Sequence, residues 1–156
     1  MPITPLHLGL ALPFCLSKQT NISLIVFTFS QILMDVQPII TILCNLNMEV
    51  HGITHTFLGA ILIAIFGTVI IKICNFQNMY LNIPIRKVFF NMLFGTVSHI
   101  FLDSLMHADI NLFYPFLEYK IFPLIDIEII NYTLLTVIFI CLMILKVKNN
   151  KIRDIL

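Results

Sequence analysis

Every histidine of this chain, and both acids that interrupt its longest apolar runs, fall inside four short motifs. These are Pro5-Leu6-His7, Leu33-Met34-Asp35-Val36-Gln37-Pro38, His51-Gly52-Ile53-Thr54-His55 and the nine residues from His99 through Asp103 to His107. The stretches between them are dominated by Leu, Ile, Val, Phe and Met. Runs of that kind need lipid as their solvent, and in lipid the backbone must satisfy itself, so the runs read as helices. An ionisable group in lipid costs several kcal/mol unless it is partnered, so a set of them marks a functional site by default.

Composition agrees. Of 156 residues 59% are hydrophobic and 11% charged, where a soluble domain carries about a quarter charged. The chain reads as an all-α integral membrane protein of one domain, 1–156, a bundle of about five transmembrane or partly spanning helices. Its motif-bearing core is 1–116; a last helix and basic tail take up 129–156. A net charge of +1 points away from nucleic acid. Cys15, Cys44, Cys74 and Cys141 lie scattered in apolar runs without a C-x-x-C pair and read as small hydrophobes. The first fifteen residues lack the basic start of a cleavable signal peptide.

Thr4-Pro5 is a helix start, Thr as cap and Pro at the first helical position. The first helix is expected over Pro5–Ser17. The second runs from about Ile22 to about Asp35 or beyond, with Pro38 bending or ending it. Ile39–Asn47 is then a short apolar connection. A third helix is expected over Gly52–Cys74, a fourth over Lys87–Met106, and a fifth over Ile129–Leu145 before the basic tail. The first two are short for a span of about 20 residues. They read as a half-depth hairpin, or as lying where the bilayer thins.

With the tail inside, Lys18, Lys72, Arg86, Lys87, Lys146, Lys148, Lys151 and Arg153 collect on one side and only Lys120 on the other. The positive-inside rule therefore places the C-terminus in the cytoplasm and the N-terminus outside. Counting from the inner end of each helix puts His7 roughly 16 Å up, Asp35 roughly 21 Å, His55 roughly 26 Å, and His99 and Asp103 roughly 18 and 24 Å. Four helices thus bring imidazole or carboxylate to one layer in the outer half of the membrane, facing outward.

His99, Asp103 and His107 are spaced i, i+4, i+8 and share a helical face within about 80°. His51 and His55 repeat the i, i+4 spacing, so two imidazoles can meet one metal. A single buried histidine more often glues helices by hydrogen bonding. His7, Asp35, His51, His55, His99, Asp103 and His107 at one depth read instead as metal ligands. His51, in a loop, and His107, where the helix is ending, are the members closest to a structural role. Mixed His/Asp ligation suits Zn²⁺ first, then Mn²⁺ or Fe²⁺. An open position with an acidified water makes a hydrolase, with Asp35 or Asp103 as base or as a bridge between two metals. Asp109 and Asn111, just beyond His107, are candidates to reach substrate under a lid. Phe113, Tyr114 and Phe116 read as an aromatic belt, and Gly52, Gly59 and Gly95 as close-packing positions.

Together these motifs resemble the membrane-bound metal-dependent hydrolases typified by LexA-regulated inner-membrane proteins of bacteria. The motifs that carry the likeness are Thr4-Pro5-Leu6-His7, Met34-Asp35-Val36-Gln37, His51-Gly52-Ile53-Thr54-His55 and Ser98-His99-Ile100-Phe101-Leu102-Asp103. They cover residues 1 to about 116 in the family's order. Met34 stands where the family has proline, and Gln37 where it has a second acid, which implies a lost ligand or a weakened metal site. The resemblance implies metal-dependent hydrolysis without naming a substrate. The ligand order also resembles that of zinc-dependent phospholipase C and its nuclease relatives, which implies a lipid or lipid-linked phosphoester.

A zincin is disfavoured because Gly52 stands where H-E-x-x-H needs glutamate. An arginine-clamped lipid phosphatase is disfavoured because Arg86 and Arg153 both map inside. A rhomboid-like serine enzyme is disfavoured because Ser98 lacks the motif context. The main alternative is a metal-ion or proton transporter, which needs polar groups through the whole depth. Ile61–Ile71 and Val88–Phe94 are apolar apart from Thr68 and Asn91. A non-catalytic membrane scaffold is the third reading, supported by Gln37. The sequence leaves the oligomeric state open.

Overall fold

Pro38 does not end its helix. In the computed structural model, which describes residues 4–16, 22–74, 83–117 and 125–148, the second helix runs without interruption from Leu24 to Leu43. Proline removes one backbone hydrogen bond, a loss that transmembrane helices tolerate when neighbouring helices and local adjustment re-satisfy the freed group; Pro38 is buried among such neighbours. Most of the connection expected over Ile39–Asn47 is therefore helix. The true stop is a left-handed Asn45, φ 47°. There Leu46 N donates to Thr41 O at 3.0 Å, the wrap that closes many helices.

The element order is a 3-10 turn Thr4–His7, α1 Leu8–Leu16, α2 Leu24–Leu43, a 3-10 turn Ile53–His55, α3 Phe57–Ile73, α4 Ile85–Met106 and α5 Ile127–Lys148. Among the described residues every regular element is helical. Leu24–Leu43, Ile85–Met106 and Ile127–Lys146 are long and apolar enough to cross a membrane, while α3 is shorter. Of the hairpin expected from the first two helices, only α1 is short. The third helix starts later than the expected Gly52, because Thr56 caps it: its Oγ1 accepts from Gly59 N at 2.9 Å. Lys18, Lys120, Lys151 and Arg153, four members of the charge pattern, lie outside the described residues.

Two buried clusters show how the helices run. One joins Val26 of α2, Ala64 and Ile71 of α3, and Val88 and Met92 of α4. The other joins Met34, Ala60 and Ile100 with Ile110 and Leu112 from the segment after α4. So α2 and α4 run in one direction and α3 in the other. A third cluster brings Ile130 and Leu134 of α5 against Leu102 and Met106 of α4, with Leu6 and Leu10 beside them. Close approach of α2 and α4 depends on Gly95, where a Cβ would land on Ser30 Oγ. The motif-bearing ends of α1, α2, α3 and α4 meet at one end of the bundle.

Candidate metal centre

Asp103 stands at the centre of these residues. It lies on α4 one turn beyond His99, is 3% exposed, and faces three imidazoles. His99 Nε2 is 3.1 Å from its Oδ2, His55 Nε2 is 3.5 Å from the same oxygen, and His7 Nε2 is 3.6 Å from Oδ1. Asp35 completes the group from α2, its Oδ1 3.3 Å from His99 Nε2. His7 comes from the first 3-10 turn and His55 from the second. The rings of His7 and His99 meet edge to face at 4.6 Å between centroids.

Neighbouring amides and hydroxyls decide which nitrogen each ring presents. Gln31 Nε2 donates to Gly95 O at 2.9 Å, which leaves Gln31 Oε1 to accept from His99 Nδ1 at 2.8 Å. His99 therefore carries its proton on Nδ1 and turns the Nε2 lone pair towards Asp35 and Asp103. The second case runs through Gln37. Its Oε1 accepts from Thr54 Oγ1 at 2.6 Å and from Thr54 N at 3.2 Å. With its own proton so committed, Thr54 Oγ1 accepts from His55 Nδ1 at 3.0 Å, again leaving Nε2 free. Such partners fix the tautomer and the ring orientation of metal-ligating histidines.

The result is acceptors facing acceptors. Among the described residues, Nε2 of His55, Nε2 of His99 and Oδ1 of Asp103 are buried without a hydrogen-bond partner. Buried polar atoms are almost always satisfied, and lone pairs brought together call for a proton or a metal ion between them. Ligand atoms about 2.0–2.2 Å from a tetrahedral ion lie about 3.3–3.6 Å apart. The four contacts here span 3.1 to 3.6 Å. Groupings compact enough for an ion are His7/His99/Asp103 and Asp35/His55/His99. The donors present fit a divalent metal.

His51 and His107 lie between this group and exposed Asp109. His51 Nδ1 donates to Asp109 Oδ2 at 2.8 Å, and its ring lies 5.0 Å from that of His55 and 4.6 Å from that of His107. α4 ends at Met106, and His107 follows in extended backbone, φ −122° and ψ 122°. It therefore leaves the face it was expected to share with His99 and Asp103 and turns to His51. Two further groupings result, His51/His55/Asp103 and His51/His107/Asp109. Burial raises the Asp109 pKa, but the hydrogen bond and charge of His51 outweigh it and hold the carboxyl below its ordinary value. Burial, then His51, holds His107 below the usual imidazole value.

All seven expected ligands are thus close neighbours, joined by Asp109. Asn111 enters none of these groupings; its backbone O accepts from Tyr114 N at 3.3 Å. Gln37 sits under Gly52 and Thr54, a support for His55. Gln31 was not anticipated. Its signal was available, since it lies one helical turn before Asp35 and so on the same face.

Fold and site together define a polytopic helical membrane protein with a buried His/Asp cluster able to hold a metal ion. Residues 2–155 match the YdjM inner membrane protein family, and the chain belongs to it. Neither a curated protein nor a solved structure matches the chain.

Proposed function

We propose that the chain is a membrane-embedded metal-dependent hydrolase whose ion is held among His7, Asp35, His55, His99 and Asp103. The observation that carries this reading is the set of buried Nε2 and carboxylate oxygens facing one another at ligand-to-ligand distances. A hydrogen-bonded helix glue would have paired these atoms as donor and acceptor. When bound, the ion supplies Lewis acidity at the centre, with zinc the ion best suited to the donor set.

The two carboxylates differ in what they can do. Asp103 is held among three imidazoles and acts as ligand. Asp35 is 14% exposed on its side chain against 4% for Asp103. It is the group placed to accept a proton from a water nucleophile. Beneath the cluster the bundle closes. Val26, Ala64, Val88 and Met92 pack there, while Asn91 Oδ1 accepts from Ser23 N at 2.6 Å and Thr68 Oγ1 donates to Ala64 O at 2.7 Å. This apolar floor favours a closed cup over a transport path.

The substrate class is a lipid or lipid-linked phosphoester. An open apolar groove of about 340 Å³ between α2 and α3 runs along Leu33, Ile40, Ile63 and Phe66 and ends at Gln37 and Thr54. There it adjoins the support of His55, where an acyl chain can lie beside the centre. The cup faces the outer side, with the C-terminus cytoplasmic.

The test is bound metal in detergent-purified protein by elemental analysis, beside His99→Ala and Asp35→Asn. One ion per chain lost in His99→Ala, with hydrolysis of lipid phosphoesters lost in a metal-replete Asp35→Asn, supports the reading. A folded wild type that takes up no metal when loaded sinks it.

A further inference from the structure

The ligands of the proposed centre are buried, so an ion has to reach them from outside through polar neighbours. Only the cluster's outer edge, among the described residues near it, offers a strongly exposed carboxylate: the Asp109 side chain is 47% exposed. From there the groupings overlap in sequence. His51/His107/Asp109 shares His51 with His51/His55/Asp103, which shares Asp103 with His7/His99/Asp103. The imidazole rings keep pace, with centroids at 4.6, 5.0, 5.4 and 4.6 Å from His107 through His51, His55 and His99 to His7.

We propose that His51, His107 and Asp109 form a second divalent-cation site at the mouth, from which an ion passes to the buried centre through His51, His55 and Asp103. This rests on the reading of the buried cluster as a metal centre. The mouth has its own unsatisfied ligand atom, since His107 Nε2 is buried with no hydrogen-bond partner. At 2.8 Å, the His51–Asp109 contact is shorter than the about 3.3 Å between ligand atoms around an ion. Half-exposed Asp109 has room to open by that difference, the His51 proton shifting from Nδ1 to Nε2 as Nδ1 takes the ion. A hydrated ion loses water reluctantly, so triads that share a ligand let each protein atom replace one water before the last is lost. The mouth, with one carboxylate and partial exposure, is the weaker and faster of the two sites. The buried centre holds the ion.

The test uses the full chain in detergent, stripped with chelator and titrated with Zn²⁺ against a chromophoric competitor, with uptake followed by stopped flow. Wild type is expected to hold two ions, one at least tenfold weaker. His107→Ala and Asp109→Asn are expected to keep the tight ion, lose the weak one and take up zinc at least tenfold more slowly. Asp109→Asn is the discriminating variant, because an asparagine oxygen still accepts from His51 Nδ1 but supplies no charge. If the weak ion and the uptake rate survive in both variants, the mouth is not a cation site. One tight ion in wild type, lost in His99→Ala but bound at an unchanged rate in Asp109→Asn, overturns this inference and leaves the proposed function standing. No bound ion in folded wild type overturns both.

Discussion

Replacing Gln31 with leucine tests the centre without touching any ligand. The Gln31 amide is 1% exposed and is held between His99 Nδ1 at 2.8 Å and Gly95 O at 2.9 Å. Leucine fills the space but accepts nothing, so the His99 ring loses what fixes its proton on Nδ1. Removing such a partner typically weakens metal affinity by about 10–100-fold, or about 1.4–2.7 kcal/mol. With both amide contacts short and buried, the upper half of that range is expected. Folding suffers less, because Gly95 O keeps the Ser98 hydroxyl at 2.9 Å. Chelator competition with Zn²⁺ in detergent gives the affinity, and circular dichroism with size exclusion reports the fold. A folded Gln31→Leu protein with wild-type affinity would refute the claim that the amide orients a ligand.

Gln37→Leu removes the acceptor of both Thr54 N and Thr54 Oγ1 and should cost about 1–3 kcal/mol of stability; Gln37→Glu keeps the acceptor and should not, as thermal unfolding in detergent will show. Gly95→Ala drives a methyl onto Ser30 between α2 and α4 and should destabilise by about 1–3 kcal/mol, again read from thermal unfolding. The proposed orientation puts exposed Cys44, after α2, and exposed Cys74, after α3, on opposite sides. In intact spheroplasts an impermeant maleimide should label Cys44 and spare Cys74, and the reverse pattern would invert the topology.

Asp35, His55, His99 and Asp103 were legible in the sequence because an ionisable group in an apolar run has no ordinary reason to be there. Counting rises along each helix puts them at one depth. Gln31 is not legible in the same way, because an uncharged amide is unremarkable in an apolar helix although it holds a ligand's proton as well as a carboxylate does. Pro38 misled because its breaking of helices is learned largely from soluble proteins, and burial beside neighbouring helices changes the balance. Thr56 was hidden by the His51–His55 spacing, which reads as helix although the turn there is 3-10. The Asp109 contact with His51 spans 58 residues and depends on how the segment after α4 folds back through Ile110 and Leu112. No local pattern encodes such a return.

The partners that hold the rings of His99 and His55 are an amide and a hydroxyl, and neither carries a charge. In many water-soluble metal sites that place is taken by a carboxylate. In the proposed centre the donors contribute two negative charges, from half-buried Asp35 and buried Asp103, and neutral imidazoles add none. A doubly charged cation brings the whole assembly to zero, whereas a monovalent ion leaves it negative and a trivalent one positive. Lipid penalises any residual charge by several kcal/mol. At the proposed centre the uncharged supports would thus make the bilayer itself a valence filter, selecting ions by their charge before size or softness is felt.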